Sequence, residues 1–588
     1  MRATLPQASF RGLGLAVMWS VCALAACGRS AFEGPRALLR DTPLGGQPAR
    51  IGSITTGGEA RPALLGSARY RVPLPRRPLL TFGVGSSYAG QGEAPGWYRL
   101  TVKADGRVLA ERTLNPRAAH GWKDVSLPLE GLGREATLEF DLRFTDRDGR
   151  DLPLPADLLL GVADPTLHDL DDYGRAKGVI LVSIDTLRRD HVGAHGYPRP
   201  TTPRLDALAR GGILCEDAVS TSSWTLPAHL SMLTSVDPGA HGGTDMTHGF
   251  NRRVPTLPSL LRKAGFATQA VTSHLYVSAV YGLDDGFDNL DFRQDRRAAE
   301  VADRAIDILD RVGDRPFLLF LHLYDPHWHY DPPEAQRRLF ETPYSGTLTG
   351  LWQDFSKRDR SNTTAEDLDH LRALYDGEIR YTDDELGRVL DHVKARGLDR
   401  GTLVIVTSDH GEEFLEHGSW EHQKTLYEEV IRVPLVVNGP GVSPRREPAQ
   451  ASLLDVMPTI LAWAGLPASS TQQGRSLLAP MGERETYGET DHTADHTRKV
   501  FLRGGAGRSK AILSLIPDGS LLRCEWYDLA SDPGESKDAA PSLAAADAAR
   551  ARAIQRWRDA RGRGGPAPAV QLTPEQRERL RALGYVTP

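Results

Sequence analysis

The chain has 588 residues, too many for one ordinary hydrophobic core, so two or more domains are expected. Its formal charge of −5 is small for that length and argues against nucleic acid as the main partner. In the folded part only Cys215 and Cys524 would remain, which excludes a disulfide framework, and both are expected to be free thiols.

The chain opens on a targeting segment. Arg2 and Arg11 flank a short leader, and Gly12 to Ala26 is an apolar stretch too short to stay in a membrane as a spanning helix. It ends in Leu24-Ala25-Ala26-Cys27, which resembles a bacterial lipobox. That resemblance implies a signal peptide over residues 1–26, cleavage before Cys27 and a lipid on its sulfur; a plain secretory signal is the alternative. The expectation is an exported protein of the bacterial cell envelope, membrane-bound through Cys27, facing the periplasm or the surface. Gly28 stands where an inner-membrane retention signal would put Asp, which favours the outer membrane. Residues 27–54 read as a Gly/Pro-rich tether.

Residues 55–172 read as a β-sandwich. Leu138, Phe140, Leu142 and Phe144 alternate with Glu139, Asp141 and Arg143, and Asp105-Gly106 between two apolar runs is a hairpin turn signal. The segment loosely resembles carbohydrate-binding jelly rolls, with Trp97, Tyr98 and Trp122 as sugar platforms or core residues. Residues 173–475 alternate strands with helices, an α/β pattern. Thr202-Pro203 opens one helix, and Ala302, Ile306 and Leu309 have the spacing of another. Residues 476–588 return to short strands near Lys510–Leu513 and Trp526–Leu529. They end in a helix capped by Thr573-Pro574-Glu575-Gln576 and closed by Gly584, after an Ala/Arg-biased stretch from Ala539 to Arg563.

The chemistry gathers at strand ends. Val179–Ile184 runs into Asp185, Leu403–Thr407 leads to Asp409-His410-Gly411-Glu412, and Phe317–Leu321 leads to Asp325-Pro326-His327. Open α/β sheets place ligands at such ends, and this oxygen–nitrogen mixture suits a divalent metal. Between them, Thr225-Leu226-Pro227-Ala228-His229 places a hydroxyl where a helix begins. There the free N–H groups favour a developing alkoxide or a bound anion, although a simple N-cap is the commoner use of Thr.

These pieces, in this order, resemble the sulfatase family within the alkaline phosphatase superfamily. Val182–His191 is similar to the family's first metal motif, Thr225–His229 to its nucleophile motif, and Asp325-Pro326-His327 and Asp409–Glu412 follow in family order. Lys424–Glu429 with Arg432–Leu435 resembles the segment of the active-site lysine, and Asp455–Ile460 and Leu580–Val586 also fit. The resemblance implies an α/β sandwich like that of alkaline phosphatase, with a mostly parallel central sheet and a small antiparallel C-terminal subdomain. The departures are informative. Thr225 replaces the Cys or Ser that sulfatases oxidise to formylglycine, and His229 stands where Arg would be. Asp185-Thr186 and Asp409-His410 replace Asp-Asp and Asp-Asn. Threonine has no CH₂ to become an aldehyde. An all-oxygen calcium cage has lost a carboxylate and gained an imidazole, so one Zn²⁺ or Mn²⁺ is favoured over Ca²⁺.

The expected activity is a metal-dependent hydrolase of phosphate diesters, monoesters or phosphonate esters, with singly charged esters preferred. Asp185, Asp409, His410 and Thr225 would hold the metal, and Thr225 would form a phosphothreonine. Lys424 would grip the non-bridging oxygens, and His327 or His422, with His229 and His417 behind them, would carry the proton. The substrate would be a small-molecule, glycan or lipid ester. Three alternatives stand: a sulfuric ester hydrolase without formylglycine, an envelope phosphoryl-alcohol transferase, and a non-catalytic glycan-binding lipoprotein.

Overall fold

The computed structural model describes residues 36–41, 43–44, 50–56, 59–88, 96–114, 123–155, 158–169, 178–312, 315–491, 497–504, 508–540 and 544–582. The signal peptide, the lipobox at Cys27, Trp122 and the terminal motif beyond Ala582, Gly584 included, lie outside the described residues. The tether as expected does not reach residue 54. Arg36–Ala37 already pair with the strand Leu158–Asp169, and Leu38 is buried in the sandwich core.

That sandwich is two antiparallel sheets. One runs Ile51–Thr56, Glu59–Leu64, Leu158–Asp169, Pro78–Tyr88, Lys123–Pro128; the other runs Ala68–Pro73, Glu135–Thr145, Trp97–Ala104, Arg107–Leu114. The alternation read in the sequence is the pleat. Leu138 and Phe140 point inward with Leu100 and Val102 against Leu80 and Phe82, and Phe82 meets Phe140 edge-on at 5.7 Å. Asp105 and Gly106 both take positive φ, 47° and 81°, as a two-residue hairpin of primed type requires. Tyr98 is core, 1% exposed, and offers no sugar platform.

The second domain is built on a nine-stranded mixed sheet. Its strands are β1 (Gly178–Ile184), β2 (Ile213–Val219), β3 (Ala267–Thr272), β4 (Asn289–Phe292), β5 (Phe317–Leu323), β6 (Thr402–Thr407), β7 (Arg432–Val433), β8 (Leu435–Asn438) and β9 (Arg445–Ser452). The order is β4-β3-β5-β1-β6-β8-β2-β7, with β9 on β2. β1, β5 and β6 are buried along their whole length, which is why they are continuous apolar runs. β1 is parallel to both neighbours, and Ser183 lies opposite His322 on one side and Thr407 on the other. The carboxyl ends of all three strands therefore coincide at one edge. Helices α1 (Thr225–Thr234), α2 (Ala298–Arg311) and α3 (Ala365–Ala395) cover the sheet. In α2 the apolar stripe is Val301, Ala302, Ala305, Ile308 and Leu309; Ile306, expected in it, is not among its buried residues.

The third unit is an antiparallel sheet of Thr486–Thr490, Arg498–Gly504, Ser509–Leu515 and Leu521–Asp528. Helix α4 (Ala544–Gly564) lies on it and buries Ala549, Ala553 and Trp557, so the Ala/Arg-biased stretch is a packed helix. Cys215 and Cys524 are free.

Candidate metal and nucleophile site

At the shared edge the backbone turns sharply. Thr186, directly after Asp185, takes φ 55°, a left-handed conformation that is rare for a β-branched residue and typical of constrained sites. Its N–H points to Asp409 Oδ1 at 3.4 Å, and the His410 N–H donates to the same oxygen at 3.0 Å. Asp409 Oδ2 has no hydrogen-bond partner; it lies 3.3 Å from His410 Nε2 and 3.6 Å from His229 Nδ1. Asp185 shows the same division. Oδ2 accepts from His322 Nε2 at 3.2 Å, and Oδ1 has no hydrogen-bond partner.

Hydrogen-bond partners assign the imidazole tautomers. His410 Nδ1 faces the Gly411 carbonyl at 3.0 Å, so it carries the proton and Nε2 keeps its lone pair. That Nε2 lies 3.6 Å from Asp185 Oδ1 and 3.4 Å from Thr225 Oγ1. The Ser273 N–H points to His322 Nδ1 at 3.4 Å, so the His322 proton is on Nε2, donated to Asp185. Two unpartnered carboxylate oxygens, one imidazole lone pair and one hydroxyl thus converge. Ligands ~2.0–2.1 Å from a tetrahedral metal lie ~3.3–3.4 Å apart, close to the spacings here. The residues fit a divalent cation. Burial and the Asp409 carboxylate push the Asp185 carboxyl up, while the Asp409 carboxylate outweighs burial at His410 and raises the imidazole to about 9, so that Nε2 takes up a proton that a bound cation would replace. Such a pattern marks a cluster short of positive charge.

Thr225 opens α1 and is buried. His229, one turn on, is not free to serve as a catalytic histidine. Its Nδ1–H donates to the Thr225 carbonyl at 2.7 Å, its Nε2 accepts from Ser183 Oγ at 3.0 Å, and burial lowers it to about 4. It pins the start of α1 to β1.

His422 and His327 form the next layer. The His422 ring is 4.3 Å from that of His410 and 5.0 Å from that of His327. Its Nδ1 lies 3.2 Å from Glu412 Oε1, while Glu412 Oε2 has no hydrogen-bond partner. Burial and Glu421 raise the Glu412 carboxyl. His327 stacks on Trp328 at 3.7 Å and Tyr324 at 4.4 Å and lines a cavity of about 310 Å³ with Arg297, Asp295 and Asp331.

Asp325, which was not among the expected metal ligands, is paired with Arg297 Nε at 2.9 Å, and burial raises it to about 6. Lys424 Nζ is held by Glu421 Oε2 at 2.7 Å, in a segment where Leu415, Glu421 and Gln423 take positive φ. His417 lies outside the centre, bonded to Glu429 at 2.6 Å and stacked on Tyr427. The sequence reading passed over His322, which interrupts the apolar run of β5 and was the signal available for it.

Residues 177–466 match the sulfatase family model. The chain is similar to arylsulfatase K of Rattus norvegicus, 26% identical over 435 residues, covering 64% of this chain and 77% of that protein. It is similar to an N-acetylglucosamine-6-O-sulfatase of Bacteroides thetaiotaomicron, 22% identical over 486 residues, with 65% and 85% covered. Its fold matches the phosphonate monoester hydrolase of Agrobacterium radiobacter with a TM-score of 0.54 at 20% identity, covering 66% of this chain and 96% of that one. Through residues 177–466 the chain belongs to the sulfatase family of the alkaline-phosphatase-like superfamily, and it is a hydrolase of sulfuric or phosphoric esters.

Proposed function

We propose that the chain hydrolyses phosphate diesters, monoesters or phosphonate esters through a covalent phosphothreonine on Thr225. The observation that carries this reading is the hydroxyl itself: Thr225 Oγ1 lies 3.4 Å from His410 Nε2, in a segment that resembles the family's nucleophile motif, with no CH₂ for formylglycine. Asp185 Oδ1, Asp409 Oδ2, His410 Nε2 and Thr225 Oγ1 would hold one Zn²⁺ or Mn²⁺. When bound, the ion would supply Lewis acidity and lower the pKa of the hydroxyl. His322 fixes Asp185, and the His410 bond to Gly411 fixes the ligand nitrogen. Thr225 gives its hydroxyl proton up to solvent water and attacks phosphorus in line, and the phosphorus–oxygen bond to the alcohol breaks. His422, oriented by Glu412, protonates the departing oxygen and then takes a proton from the water that hydrolyses the phosphothreonine. His327, Tyr324 and Trp328 wall the cavity that would take the alcohol. Lys424 would serve the non-bridging oxygens once released from Glu421.

The protein would act outside the cytoplasm, lipid-anchored by Cys27, on the strength of Leu24-Ala25-Ala26-Cys27. The test is turnover of matched phosphate diester, phosphate monoester, phosphonate ester and sulfate ester with one common leaving group. Phosphorus esters turned over faster than the sulfate support the reading. A sulfate ester preferred throughout overturns it in favour of sulfate hydrolysis without formylglycine.

A further inference from the structure

A second cavity, of about 320 Å³, opens at the amino ends of β3 and β4. Ala267 there lies level with Phe317, the first residue of β5, so the cavity is roughly 20 Å of strand away from the edge that holds the reaction centre. Arg304, Arg311 and Arg315 line it together with Gln269, Asn289 and Ile308, and no carboxylate is among its lining residues. Two of the guanidinium groups are partly engaged. Arg304 bonds Asp291 at 2.8 Å and Asp307 at 3.2 Å, and Arg311 bonds the Asp307 carbonyl at 2.9 Å. Arg315 differs: its Nε and Nη2 are buried without a hydrogen-bond partner. Asp288 acts on it only at a distance, while accepting the Thr268 N–H at 3.1 Å, and the neighbouring His168 is neutral and bonded to Thr81. A buried guanidinium with unsatisfied donors is costly unless an anion completes it.

We propose that this cavity binds a sulfate or phosphate group carried on a sugar-like, hydroxylated ligand, at a site separate from the reaction centre. Guanidinium forks match the oxygens of such groups. The amides of Gln269 and Asn289 offer donors and acceptors for ring hydroxyls, and Ile308 offers an apolar wall. The site stands independently of the reading of the reaction centre.

The test is thermal unfolding of the full chain titrated with inorganic sulfate and then with a sulfated disaccharide. Wild-type Tm should rise saturably with sulfate, equally in Asp409→Ala, while Arg315→Met should need at least ~10-fold more sulfate or not respond. Without anion Arg315→Met should be as stable as wild type or more so, because an unpaired buried cation has been removed. An arginine with a purely structural role would leave that variant less stable, and this outcome overturns the proposal. Turnover of a small soluble ester should be unchanged in it. Arg311→Ala, on the exposed rim, should also weaken sulfate binding. Equal sulfate responses in variant and wild type overturn the site. Disaccharide binding no tighter than sulfate, or capture only by vesicles of an anionic phospholipid, overturns the sugar-like ligand.

Discussion

Two clusters of buried charge resolve the same problem in opposite ways. Around Glu428, Arg503 meets Asp217 at 3.1 Å and Glu428 at 3.0 Å, Lys510 meets Glu428 at 3.1 Å and Glu535 at 2.8 Å, and Arg432 meets Asp217 at 3.0 Å. The chain brings its own cations, and against the pull of burial Arg503 and Lys510 hold the Glu428 carboxyl down at about 2. Around Asp409 no Lys or Arg among the described residues reaches the carboxylates. Asp185 and Asp409 face only imidazoles. The first cluster is closed and ties the C-terminal subdomain to the α/β domain. The second is left short of positive charge, which makes it a place to bind a cation.

The sharpest way to break this comparison is at the open cluster. Thr225→Ala should lower kcat by at least ~10³, the scale of losing a nucleophile, and leave stability close to wild type. Quenched turnover followed by peptide mass spectrometry should find phosphate on an otherwise unmodified Thr225 in the wild type. Turnover in the variant equal to wild type would remove covalent catalysis from the account.

The closed cluster should behave in reverse. Arg503→Ala leaves Asp217 and Glu428 short of a partner and should cost about 3–5 kcal/mol of stability, measured by denaturant unfolding, with kcat of the folded fraction unchanged. A neutral effect on stability would mean that the cluster is not the strut described.

Between these extremes lies Glu412, which touches no substrate in this account and orients His422. Glu412→Gln should lower kcat by about 10² with KM little changed, and Glu412→Asp should recover part of the loss. The deficit should shrink as the leaving group improves. A deficit independent of the leaving group would assign Glu412 to structure alone.

The smallest effect is one of pH. Glu378 is paired with Arg297, yet burial outweighs the pair and raises the carboxyl to about 8. The folded state then holds this proton more tightly than the unfolded chain does. Its contribution to stability is full below the unfolded pKa of ~4.3 and is lost as pH rises through about 8. Glu378→Gln should flatten the fall of stability across that window by at least ~1 kcal/mol. An unchanged pH profile of unfolding would show that Arg297 keeps Glu378 ionised.

Much of the open cluster was legible because its members follow strands whose burial writes itself as unbroken apolar sequence. Asp185 comes directly after such a run and Asp409 one residue past another, and parallel register brings their ends together. The sandwich was legible for the complementary reason, one face of each strand being wet, as at Leu138 and Phe140. What stayed hidden depends on long-range pairing or backbone strain. His322 is inside β5 and matters only because its ring reaches Asp185 on the neighbouring strand. Asp325 stands at the third strand end, and its partner Arg297 comes from the start of α2, a pairing that no local pattern announces. Lys424 is drawn to Glu421 by a loop with positive φ at three residues other than glycine, which no local pattern announces either.

The central claim is that the Asp185–Asp409–His410 cluster holds one divalent ion. Elemental analysis of gently purified protein, wild type beside Asp409→Ala, tests it most directly. The account predicts one equivalent of Zn²⁺ or Mn²⁺ per chain in the wild type and its loss, together with turnover, in a variant that still folds. Fully active wild-type protein free of any divalent metal would contradict it.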